Sequence, residues 1–136
     1  MADNIRYATI NWTNGLIFEG GAPDGPAIRI DGDGVAAPSP VVTLLLAAAS
    51  CSGADIVSIL EKSRAGLTAC RIEMTGTRQE AHPRRFIAIH MVFHLAGTAL
   101  DEAKAGHAIR LSLEKYCSVV HSLAPDIVLT HDLVLG

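Results

Sequence analysis

Apolar and polar positions recur along the chain with two periods, and the switches between them predict eight elements. Residues 5–12 alternate, with Ile5, Tyr7 and Thr9 on one face and Ala8, Ile10 and Trp12 on the other, as in a strand. Asn14-Gly15 is a hairpin turn signal with positive φ, and residues 16–19 return as a second strand. Residues 27–31 predict a third short strand, ended by the turn Gly32-Asp33-Gly34. Ser39-Pro40 then opens a long helix to about residue 64. Ser39 can cap its free amides, Pro40 suits its first position, and Gly66 follows as its stop. Residues 67–79 and 85–95 alternate again around a turn at 80–83. Cys70, Ile72 and Met74 share one face of the first; Ile87, Ile89, Met91, Phe93 and Leu95 share one face of the second, with His90 and His94 opposite. This pair predicts a β-hairpin with one buried face. Residues 98–123 read as a second helix, because Ile109, Leu113, Cys117 and Val120 form one stripe. Pro125 ends it, and 126–135 is a last strand. The order β-β-β-α-β-β-α-β predicts an α+β fold with mostly antiparallel sheet, in one domain over residues 1–136.

Composition narrows the classes. The 136 residues are 49% hydrophobic and 18% charged with a net charge of −3, which excludes disorder and gives no electrostatic ground for binding nucleic acid or an anionic membrane. Charges this sparse predict apolar surface hidden against a second copy of the chain. Residues 41–60 approach the length and apolarity of a membrane span, but Ser50, Ser52, Asp55 and Ser58 interrupt them, so the reading is a soluble-protein helix buried on most sides. The start of the chain lacks a basic and then apolar leader, and three cysteines do not suggest a disulfide framework; a reducing, cytoplasmic setting is expected. No Cys-x-x-Cys spacing suggests a metal, the His-x-x-x-His spacing of His90 and His94 falls on a strand, and no glycine-rich nucleotide motif is present. His90 and His94 lie about 13 Å apart along a strand, too far for one metal ion.

The cysteines carry the chemistry. Cys51 sits among small residues in Ala-Ala-Ala-Ser-Cys-Ser-Gly-Ala-Asp, and Cys117 lies on the apolar stripe of the second helix. A cysteine on an apolar helical face is usually a small core residue. Two such cysteines can also touch, and then form a disulfide or cooperate in redox chemistry. Cys70, alternating with Ile72 and Met74, reads as core.

The stretch Ser39-Pro40, Leu44 to Ala48, Ser50-Cys51-Ser52 and Asp55-Ile56-Val57-Ser58-Ile59-Leu60-Glu61-Lys62 resembles the central helix of OsmC/Ohr proteins, most closely their YhfA-like branch. Glu114-Lys115-Tyr116-Cys117-Ser118-Val119 resembles the branch's second cysteine motif, and Ile10, Trp12, Gly15, Leu16 and Phe18 match its first hairpin. The resemblance implies an intertwined homodimer whose antiparallel sheets wrap long central helices. It implies a thiol peroxidase for small organic hydroperoxides in oxidative-stress defence. Cys51 would be peroxidatic and Cys117 resolving, with a dithiol reductant and neither metal nor organic cofactor. The chain departs from the family at two points. The glutamate that supports the activating arginine is replaced by Val41 and Val42, and the arginine of the first hairpin has no counterpart at Thr13-Asn14-Gly15. An apolar wall there supports a second reading, a non-catalytic dimer that binds a small apolar ligand beside the cysteines.

Overall fold

The alternating N-terminal segment becomes a three-stranded antiparallel sheet in the computed structural model, which describes residues 4–136. Strands β1 (Thr9–Asn14), β2 (Ile17–Gly21) and β3 (Ile28–Asp31) pair in chain order, with Trp12 opposite Phe18 and Phe18 opposite Ile30. Gly15 turns the first hairpin at φ 54°, a region open to glycine without steric cost. The first strand starts later than the alternation predicts. Thr9 already faces Gly21, the last residue of β2, so residues 5–8 have no ladder neighbour. After β3 the Asp31 carboxylate accepts the amides of Asp33 (2.9 Å), Val35 (3.2 Å) and Ala36 (2.9 Å), which closes the glycine turn. Those donors, Ala36 foremost, lower its pKa below the ordinary carboxylate value.

Contacts divide the chain into two compact units, one ending at Leu44 and one beginning at Leu45. Helix α1 (Pro40–Lys62) starts in the first and continues through the second. Ser39 Oγ accepts the Val42 amide at 3.2 Å, the cap that its sequence suggests.

In the second unit, β4 (Leu67–Arg78), β5 (Phe86–Gly97) and β6 (Val128–Leu135) form a sheet in that order. β4 and β5 are antiparallel, but β5 and β6 are parallel. Three of the four strand pairings are antiparallel, so the mostly antiparallel expectation holds, with β5–β6 as its exception. The helical segment between β5 and β6 carries the chain back to the start of the sheet, as a parallel pair requires. Being central, β5 buries Ile89, Met91, Phe93 and Leu95; α1 adds Ile56 and Leu60 to the core, and the helix after β5 adds Ala105, Ala108 and Ile109. Ile87 departs from the predicted face. The register shifts between Thr77 and Arg78, so Ile87 has no partner on β4, and Phe86 takes the buried place in its stead.

Two helix expectations also change. α1 is not buried on most sides within this chain. Ala48, Ala49, Ser52, Ile56 and Leu60 face inward, whereas Val42, Leu44 and Leu46 remain exposed. It is long and apolar enough to cross a membrane by length and composition. The predicted second helix is broken into α2 (Glu102–Leu111), a π-helical turn (Ser112–Tyr116) and a short α3 (Ser118–His121). At the break Cys117 is extended, with φ −72° and ψ 100°. Its amide donates to the Ser112 carbonyl, five residues back, at 2.8 Å.

Candidate functional site

On α1, positions three and four apart stack on one face. Ala48 and Ser52 are buried; Cys51 and Asp55 stand half-buried beside them. The small side chain of Ala48 admits Cys117, whose Sγ lies 4.0 Å from the Ala48 carbonyl oxygen. Ala48, Cys117 and Val120 form a buried cluster, with Cys51, Met74, Leu113 and Val119 packed around it. The two cysteines of the predicted pair are therefore neighbours in one cluster. Both are free thiols, and Cys51 acts on the Cys117 thiol.

Their surroundings differ. Cys117 has no exposed surface, and burial above all pushes its thiol from 9.0 up to about 11. The neighbouring Cys51 thiol and the Asp55 carboxylate push the same way, against the Val120 amide, which donates to the sulfur. At neutral pH Cys117 keeps its proton and can offer it to a sulfur on Cys51. The side chains acting on Cys117 are Cys51 and Asp55, with no guanidinium among them. Arg29, Arg71 and Arg85 instead pair with Glu19, Glu73 and Asp126.

Beside the thiols runs a polar chain that the sequence reading did not identify. Ser112 Oγ donates to Asp55 Oδ2 at 3.0 Å and lies 2.9 Å from Ser52 Oγ. Each hydroxyl has one proton and an ionised carboxylate has none. The direction follows: Ser52 donates to Ser112, and Ser112 donates to Asp55. Ser52 and Ser112 are fully buried. The available signal was the polar pair Ser52 and Asp55, three residues apart in a mostly apolar helix. A cleft of about 430 Å³ opens at the Asp55 end, lined by Asp55, Ser58, Ile59, Lys62, Leu111 and Tyr116.

Cys70 lies outside the pair, half-buried on β4, with its thiol pKa raised by burial. His90 bonds Thr130 (2.6 Å) and Asp132 (3.1 Å), and His94 bonds Glu73 (2.5 Å). Val41 is half-buried and Val42 exposed at the first turn of α1, so neither position supplies a carboxylate.

A long helix that packs one cysteine against the cluster of a second, in an α+β fold, defines a class with known members. A family model described as OsmC-like protein matches residues 31–132, and the chain belongs to that family. It is 41% identical to Protein YhfA of Escherichia coli K12 over 125 residues, covering 91% of this chain and 93% of that protein. It is also similar to the structure of a hypothetical protein from Aquifex aeolicus, with a TM-score of 0.84, 26% identity and coverage of 97% and 98% of the two chains. An organic hydroperoxide resistance protein OsmC from Legionella pneumophila shares the fold, with a TM-score of 0.64 at 14% identity, covering 95% of this chain and 96% of that one.

Proposed function

We propose that the chain is a thiol-dependent hydroperoxide reductase. The observation that carries the reading is the packing of a half-buried Cys51 against the cluster that holds a fully buried Cys117, on a separate element. Cys51, the more accessible sulfur, attacks the O–O bond of an organic hydroperoxide as the thiolate. It becomes a sulfenic acid and releases the alcohol. Cys117 then attacks the sulfenic sulfur as its proton passes to the leaving hydroxyl, water leaves, and a Cys51–Cys117 disulfide remains. A dithiol reduces it by exchange. The chemistry needs neither metal nor organic cofactor. Family membership and the likeness to the Legionella protein support this reading.

The working unit is a homodimer in the cytoplasm, with no membrane or nucleic-acid partner. Large apolar side chains are left in water by the isolated chain: Trp12 is 66% exposed, Val35 87% and Leu46 49%. A second copy would cover such residues and the open face of α1. Incubation with cumene hydroperoxide and dithiothreitol tests the reaction. Hydroperoxide is consumed by the wild type and by Cys70→Ser, and Cys51→Ser loses consumption. A Cys51→Ser variant as fast as the wild type overturns the proposal.

One observation favours a second reading, an apolar-ligand binder. No cation acts on Cys117, and valines occupy the family's glutamate positions. Native mass spectrometry of freshly purified protein would then show a retained small molecule. Its persistence in Cys51→Ser would favour binding over chemistry.

A further inference from the structure

We infer that the Ser52–Ser112–Asp55 hydrogen-bond chain is a positioning device that sets Cys117 against Cys51, so that Ser112 and Asp55 control closure of the Cys51–Cys117 disulfide. The inference rests on the dithiol reading above and deepens it.

Three observations connect. Ser112 is the first residue of the π-helical turn, and its carbonyl takes the Cys117 amide at 2.8 Å. Its hydroxyl is held from α1, by Ser52 at 2.9 Å and by Asp55 at 3.0 Å. Cys51 is the residue before Ser52 on that helix. One serine thus couples by its side chain to the helix that carries one thiol, and by its backbone to the other thiol. A π-turn is a strained interruption of a helix and persists where something holds it. Here Ser52 and Ser112 are fully buried and Asp55 is half-buried, so the Ser52–Ser112 bond is shielded from water. The Cys117 ψ of 100° follows from this wide turn; regular helix would instead continue the Ile109–Leu113 stripe.

Disulfide closure demands narrow geometry, with Cβ atoms about 3.8 Å apart. A misplacement of about 1 Å can cost as much as a hundredfold in a positioned reaction. Ser112→Ala removes both side-chain bonds of the chain, and Asp55→Ala removes its anchor. Asp55→Asn keeps an acceptor oxygen for the Ser112 hydroxyl and should retain the geometry. Ser112 and Asp55 are positioning residues, since neither is required to touch the reacting oxygen.

The test is the equilibrium constant of the Cys51–Cys117 disulfide in dithiothreitol redox buffers, with the protein first oxidised by diamide and the disulfide assigned by peptide mapping. Ser112→Ala and Asp55→Ala should lower the constant about tenfold, making the potential about 30 mV less negative. Asp55→Asn should stay within about twofold of the wild type. Loss of stability alone would shift the melting temperature without this pattern of rescue. Asp55 is the half-buried end of the chain, so Asp55→Ala carries the test if Ser112→Ala fails to fold. Equal constants for the wild type and both alanine variants overturn the inference, as does a wild type that forms no Cys51–Cys117 disulfide. If cumene hydroperoxide leaves the thiols intact while the constants still follow Ser112 and Asp55, the peroxidase reading falls and the positioning role stands.

Discussion

Burial of Cys117 makes folding stability depend on alkaline pH. The folded thiol is pushed from 9.0 to about 11, first by burial, so the unfolded chain releases this proton at lower pH than the folded one. Below the unfolded value both states hold the proton, and the site's full contribution to stability is present. As pH rises past that value the unfolded state gains by ionising, and stability falls by about 1.4 kcal/mol per pH unit until the folded value is reached. Integrated from pH 8 to pH 11, the loss is about 2 kcal/mol. Urea unfolding of the wild type and of Cys117→Ala at several pH values isolates it, because lysines, tyrosines and Cys70 titrate in both proteins and cancel in the difference. The wild type's advantage over Cys117→Ala should shrink by about 2 kcal/mol across that range. A difference that stays constant within the error of the extrapolation would refute a buried, proton-holding Cys117, and with it the asymmetry of the pair.

Other predictions follow from the same structure. Ile56 has no exposed surface, and Ile56→Ala should cost about 2–5 kcal/mol by urea unfolding, since the truncated side chain would leave a cavity in the core. Gly66 stands at φ 62°, and an added Cβ would lie 2.1 Å from Thr98 Oγ1; Gly66→Ala should cost about 1–3 kcal/mol in the same assay. A depressed carboxyl pKa at Asp31 stabilises above the unfolded value and is lost as pH falls through the folded one. Thermal melts from pH 5 downwards should therefore fall more steeply for the wild type than for Asp31→Ala, and identical acid slopes would contradict the amide cradle.

Local signals in the sequence were readable where they decide structure locally. Ser39 and Pro40 start α1 and Asn14-Gly15 turns the first hairpin, because caps and turns depend on a few adjacent residues; the stop expected of Gly66 falls earlier, since α1 ends at Lys62 and Arg64 takes the left-handed conformation at φ 56°. Misses occur where distant contacts decide. The stripe Ile109, Leu113, Cys117 and Val120 has helical spacing whether or not the helix breaks. The break depends on Ser112, which α1 holds from sixty residues away. The parallel partner of β5 and the bulge at Ile87 are likewise matters of pairing across the sheet, where alternation alone fixes no neighbour. For the site, small residues around Cys51 and the stripe position of Cys117 indicated buried thiols. Their place in one cluster, and the serine–aspartate chain that flanks it, required the packing of α1 against the π-helical turn.

The central claim is that Cys51 and Cys117 work as one redox pair. Its most direct test adds one equivalent of cumene hydroperoxide to the fully reduced protein, alkylates the remaining thiols and maps the peptides by mass spectrometry. The account predicts a Cys51–Cys117 disulfide, with Cys70 alkylated. Alkylation of Cys51 and Cys117 together, after the hydroperoxide has had time to react, would contradict it.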